Sequence, residues 1–217
     1  MSIKSTLWSA MVALLCGAPA YGQSAKAAPA RSVGLASPQA QSWVRANLGG
    51  WPQSAQDLAA QLVARYGRPN ASTADELLWH ENSPWKRTVL YRAGVRHDFP
   101  TPHQDILEQT INYRVPADKI ADLAAYDGSL IVDRTRGELS VHCDSEQANI
   151  LTLNIADDIV KGERSVDQAL AYHAQVVRGV QIGERESYPE RLKFMPQTAT
   201  QAADPGSEAP LLQHLAR

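Results

Sequence analysis

Residues 133–167 read DRTRGELSVHCDSEQANILTLNIADDIVKGERSVD. Leu130 to Arg134 and Glu138 to His142 are rich in strand-forming residues, and Thr135-Arg136-Gly137 between them supplies a turn in which Gly137 can take positive φ. This spacing predicts a hairpin. Cys143 then sits at a strand-to-helix junction, with Asp144 or Ser145 able to cap the helix that follows. That helix runs to about Lys161 and stops at Gly162. Its apolar residues Ile150, Leu151, Leu153, Ile155, Ala156, Ile159 and Val160 cover too much of the circumference for a surface helix, so it is expected to be central and buried. Ser165 and Gln168 form an S-x-x-Q capping box for a last helix bearing Val166, Ala169, Leu170, His173, Val176 and Val177, ending near Gly179.

Upstream of this segment, Leu107, Ile111, Tyr113 and Val115 alternate with Glu108, Thr110, Asn112 and Arg114, the pattern of a half-buried strand. Pro116 opens a short helix with Ile120, Leu123 and Ala124 on one side. Residues 76–80 and 86–92 read as a second hairpin. Before it, Ser54 is the expected N-cap of a helix with Leu58, Leu62, Val63 and Tyr66 on one face and Gly67 at its end. Residues 93–104, AGVRHDFPTPHQ, fit neither helical nor strand periodicity and read as a loop. The order of elements and their short links predict an α+β fold: an antiparallel sheet of about five strands, two hairpins plus a central strand, packed by helices on one face. Residues 51–194 are expected to form this single domain. The stretch after Gly179, up to Phe194, is expected to add one more turn or an edge strand.

The chain of 217 residues is long enough for one self-sufficient core. With 44% hydrophobic and 20% charged residues it has the composition of an ordinary globular protein rather than a disordered or membrane-embedded one. Lys4, the apolar run from Leu7 to Cys16 and the small residues Ala18-Pro19-Ala20 read as a secretory signal peptide over residues 1–22. Cys16 is not read as a lipidation site, because Leu15 stands where a small residue is needed. Residues 23–50 read as a flexible Ala/Ser/Pro-rich leader and residues 195–217 as a disordered tail in which Leu211, Leu212 and Leu215 could form a docking turn. Removing the signal takes away Lys4 and no acidic residue, so the remainder is one unit more acidic than the full chain's −2. Charge alone therefore attracts neither nucleic acid nor an anionic membrane, and no segment reads as a transmembrane span. Cys143 is then the single thiol, and no internal disulfide can form.

Three groups of residues could carry chemistry. His97, Asp98, His103 and Asp105 offer two imidazoles and two carboxylates that could converge on a divalent metal; the alternative is a loop whose polar side chains bond to turn backbone. Cys143 is placed either as a thiol activated by the helix N-terminus or as a small packed residue. Trp85, Lys86, Arg87 and Tyr91, with Trp79 and His80 nearby, could present an aromatic and basic binding surface, or divide into core and a wet hairpin face.

A helix ending in Tyr66-Gly67-Arg68-Pro69, followed by a Trp-bearing strand and a second strand over residues 62–92, is similar to the helix-to-hairpin arrangement of small bacterial envelope lipoproteins of the SmpA/BamE type. The resemblance assigns no functional residue. The expected function is an exported, periplasmic or secreted, non-enzymatic module that binds an envelope protein or small ligand through the aromatic and basic face, without a required cofactor. The alternative is a metal- or thiol-dependent hydrolase using the His97/His103 loop and Cys143.

Overall fold

The computed structural model describes residues 37–198. The expected signal peptide, the leader up to residue 36, and the tail from residue 199 lie outside them. In chain order the elements are helices α1 (Pro38–Asn47) and α2 (Gln53–Tyr66), strands β1 (Ala71–Ser72), β2 (Glu76–Asn82), β3 (Trp85–His97) and β4 (His103–Asn112), helix α3 (Ile120–Tyr126), strands β5 (Ile131–Asp133) and β6 (Glu138–Cys143), and helices α4 (Glu146–Lys161) and α5 (Val166–Gln181). The strands form one antiparallel sheet in the order β1-β2-β3-β4-β6-β5. The α+β architecture is as the sequence implies, with six strands rather than about five.

Two departures from expectation lie at the ends. Residues 38–47, expected within the leader, are helical: Ser37 caps α1, its hydroxyl accepting the Ala40 N–H at 3.2 Å. Val44 and Leu48, a helical turn apart, are buried in the cluster formed with α2, with Ala40 buried and Trp43 packed beside them, so a segment otherwise rich in small and polar residues gains an apolar face. At the other end the backbone N–H of Gln197 donates to the Asn112 carbonyl at 2.9 Å, which ties residues 195–198 to the end of β4. The cap of α2 also differs. Pro52 occupies that position without a side-chain bond, and Ser54 lies inside the helix.

Register explains which face is covered. Leu77 faces Leu90, Leu90 faces Leu107, and Leu107 faces Cys143; further along, Ile111 faces Leu139. These side chains share one face because neighbours across an antiparallel pair point the same way. The helices pack on that face as two apolar clusters. Leu77, Trp79, Leu90, Ile106 and Leu107 meet α1 and α2, while Ile111, Leu139 and Val141 meet α3, α4 and α5.

A polar seam runs between the clusters. Glu146, the first residue of α4, is paired with Arg65 and accepts from the Tyr66 hydroxyl at 2.8 Å and from the Gln109 amide at 3.2 Å. The Trp85 indole donates to the same Tyr66 oxygen at 3.2 Å, and Asn149 donates to Gln109 Oε1 at 3.0 Å. Ser145 caps α4, and Gly162 ends it at φ 75°, in the left-handed region where glycine avoids the Cβ clash. The capping box of Ser165 and Gln168 is formed. Residues 182–194 are neither a helical turn nor an edge strand. They are held instead by Asn154 of α4, whose amide donates to the Tyr188 and Arg191 carbonyls and accepts the Lys193 N–H.

Candidate metal centre

Residues 93–104 are not one loop. β3 continues to His97 and β4 begins at His103, leaving only residues 98–102 as the connection. Periodicity fails here because the strand is irregular. From Leu90 to Val95 the chain takes five steps along β3, while the partners Leu107 and Asp105 are two steps apart on β4. Such a bulge re-aims every side chain after it. Gly94 makes the close approach possible: a Cβ there would stand 2.5 Å from Ile106 Cγ2 and 3.1 Å from the Asp105 carbonyl oxygen. Ile106 is itself buried and has little room to yield. Gly94→Ala is therefore expected to lower stability by about 1–3 kcal/mol through overpacking. Urea unfolding measures this, and an unchanged midpoint would show that the bulge relaxes freely.

Beyond the bulge, His97 pairs directly with His103 across the two strands, and Asp105 lies two residues further along β4. Cys143, the last residue of β6, faces Leu107 from the neighbouring strand. The four side chains meet at the end of the sheet. His97 Nδ1 is 3.2 Å from Asp105 Oδ2, and His103 Nε2 is 3.0 Å from Asp105 Oδ1. One ligand atom from each of His97, His103 and Asp105 lies within 4.8 Å of the other two. Cys143 Sγ stands 3.3 Å from the same His103 Nε2. All four are mostly shielded from solvent.

The protons tell what this arrangement can hold. His103 Nδ1 is 2.7 Å from the Thr101 carbonyl, which can only accept, so Nδ1 carries the hydrogen. In the neutral ring Nε2 is then a lone pair that can accept the Cys143 S–H at 3.3 Å, and it also faces an Asp105 carboxylate oxygen at 3.0 Å. Acceptor against acceptor is unfavourable unless a proton or a cation lies between them. Asp105 Oδ1 and His97 Nδ1 are both buried without a hydrogen-bond partner among the described residues, although each has a charged or polar atom close by. Short approaches without hydrogen-bond directionality are what donors aimed at a common point produce. Burial also raises the Asp105 pKa, the expected cost of a carboxylate shielded without full compensation.

The same geometry does not assemble a thiol relay. A Cys-His-Asp relay places the carboxylate on one ring nitrogen and the nucleophile on the other. Here sulfur and carboxylate crowd one nitrogen while the backbone holds the other. Burial pushes the Cys143 thiol well above its ordinary pKa, with the neighbouring Asp144 charge adding to it, so the helix N-terminus does not activate it.

The other candidates fall elsewhere. Asp98 points away from the cluster, 65% exposed and paired with Arg96. It follows the last residue of β3, where the chain has already turned out of the strand. The aromatic and basic set divides. Trp85 is 1% exposed and belongs to the core, so it offers no binding surface; its ring is drawn inward by the Tyr66 bond and the apolar cluster beneath the sheet. Lys86 pairs with Glu138, Arg87 with Glu108 and Glu138, and the Tyr91 hydroxyl donates to Glu108 at 2.7 Å. Their charges are matched within the fold.

Two neighbours of the cluster are placed by tertiary packing alone. His173 of α5 is buried, its Nδ1 2.9 Å from the Tyr126 hydroxyl, and Phe99 from the hairpin connection meets its ring edge-on with centroids 5.1 Å apart. Burial lowers its pKa to about 4, so it is neutral at neutral pH. His142, beside Cys143 but on the opposite face, bonds Glu108 at 3.2 Å.

No protein-family model, curated protein or solved structure matches this chain. Among the described residues no helix is long and apolar enough to cross a membrane.

Proposed function

We propose that this protein is an exported module that binds one divalent transition-metal ion through His97, His103 and Asp105. The observation that carries the proposal is the convergence of three ligand atoms within 4.8 Å at the end of the β3–β4 hairpin. Two imidazoles and a carboxylate suit a borderline ion such as zinc or copper, whereas calcium and magnesium take oxygen donors. Export rests on the signal-peptide pattern of residues 1–22. Metal binding replaces the aromatic and basic hairpin as the functional feature, because Trp85 is core and the neighbouring cations are paired with acids.

The test is calorimetric titration of the purified, chelator-treated full chain with zinc chloride. One equivalent is expected to bind. His103→Ala is expected to weaken binding at least a hundredfold, since even the loss of an outer partner of a ligand costs about ten- to a hundredfold. Far-UV circular dichroism confirms that the variant is folded. Absence of any zinc or copper binding by the wild-type chain would overturn the proposal.

A further inference from the structure

We infer that Cys143 Sγ is a fourth ligand, closing the centre into a tetrahedron of two histidines, one aspartate and one cysteine that is suited to zinc. This rests on the three-ligand reading above and deepens it. Tetrahedral bonds of about 2.0 Å to nitrogen or oxygen and about 2.3 Å to sulfur place neighbouring donors roughly 3.3–3.6 Å apart. The separations present are 3.0 Å from His103 Nε2 to Asp105 Oδ1, 3.2 Å from His97 Nδ1 to Asp105 Oδ2, and 3.3 Å from Cys143 Sγ to His103 Nε2. Cys143 Sγ touches His103 but lies outside the set of His97, His103 and Asp105 atoms that are all within 4.8 Å of one another, so closing the polyhedron requires its side chain to turn toward the other donors about His103.

The fold brings the sulfur there for a reason visible in the ladder. Cys143 faces Leu107 in register, and Leu107 and Asp105 share a face of β4 because they are two residues apart. Cys143 therefore emerges on the same face as Asp105, while His142 beside it emerges on the other and bonds Glu108. Three donors come from one hairpin and the fourth from a strand joined to it by hydrogen bonds, so the site spans β3, β4 and β6. The free thiol of Cys143 is the one cysteine among the described residues, which leaves it available as a ligand.

A thiolate beside two imidazoles and a carboxylate discriminates among metals. Hard ions such as magnesium and calcium gain nothing from sulfur, whereas zinc accepts all three donor types in four-coordinate sites. Four protein donors leave no open position for a water, which marks a storage, carrier or structural role rather than hydrolysis.

X-ray absorption at the zinc edge tests this on the wild-type full chain loaded with one equivalent of zinc. The expected first shell is one sulfur at about 2.3 Å with nitrogen and oxygen at about 2.0 Å. The cobalt(II) form is expected to show an intense near-ultraviolet sulfur-to-metal charge-transfer band that Cys143→Ala abolishes. That variant is expected to bind zinc at least about a hundredfold more weakly, since the loss of an outer partner alone costs about ten- to a hundredfold. A zinc-loaded protein with a nitrogen and oxygen shell only, or an unchanged affinity in Cys143→Ala, overturns the fourth ligand and leaves the three-ligand site standing. Failure of the wild-type chain to bind zinc at all overturns both.

Discussion

Replacing Glu146 by alanine is expected to lower the unfolding free energy by about 2–4 kcal/mol, because two shielded donors lose their acceptor at about 1–3 kcal/mol each. The carboxylate is only 7% exposed and sits at the first turn of α4, where the helix dipole favours a negative charge. It satisfies Arg65 from α2, the Tyr66 hydroxyl and the Gln109 amide of β4 at once. Alanine leaves all three without their acceptor, and Tyr66 and Gln109 are shielded from the water that would replace it. Arg65 is better placed, being about a third exposed, and can rehydrate. Glu146→Gln keeps an oxygen for Tyr66 and Gln109 but loses the charge opposite Arg65, so it should cost roughly half as much. Urea denaturation at neutral pH measures both. A loss below about 1 kcal/mol in the alanine variant would mean that the seam is hydrated and does not couple the two clusters.

The second large effect lies on the opposite face of the sheet and depends on pH. Glu108 accepts hydrogen bonds from His142 and Tyr91 and faces Arg87, and these hold its pKa down at about 2 against an ordinary 4.5. His142 is raised in turn: burial works against its charge, but the bond to Glu108 outweighs it. Because the folded-state pKa of Glu108 is depressed, its contribution is fully present above the unfolded value and is lost as pH falls through the folded one. The window is therefore about pH 4.5 down to about pH 2. The shift corresponds to about 3 kcal/mol, shared with His142 and not to be counted again for it. Glu108→Gln should be destabilised by about that amount at pH 6 and should lose less further stability than the wild type on acidification. Equal acid slopes for the two proteins would show that other carboxylates govern this limb.

Most of the architecture is legible because the relevant signals are local. The width of the apolar surface on residues 146–161 announces a buried helix, Ser165 and Gln168 form the box their spacing predicts, and the alternation around Ile111 identifies the central strand. The segment 38–47 reads as a leader because its composition is that of a linker; the Ser37 cap and the Val44/Leu48 spacing are weak local signals, and its order comes mainly from contact with α2. The candidate centre is half visible. His97, His103 and Asp105 stand out by type, but their assembly depends on β3 resuming after Gly94, and a bulge destroys the two-residue period by which strands are recognised. Asp98 looks equivalent to Asp105 in sequence and differs only in lying past the end of the strand. Joining Cys143 to the group requires knowing that β6, and not β5, lies next to β4. Trp85 and Arg87 are two residues apart, so simple alternation puts them on one face. In the fold they serve opposite faces, with Glu81 nearby at φ 50° breaking the regular twist of the hairpin.

The strand order bears on how the protein behaves among copies of itself. The outermost strands, β1 and β5, have two and three residues, too few unpaired backbone groups to template a neighbouring chain. Among the described residues the hairpin end that projects beyond β2 and β6 is the longer stretch of open edge, and it carries Arg92, Arg96 and Asp98, charges that resist being buried in another sheet. Aggregation by strand addition is thus opposed at both flanks by brevity and at the tip by charge, leaving the hairpin free to reach solvent without recruiting its own kind.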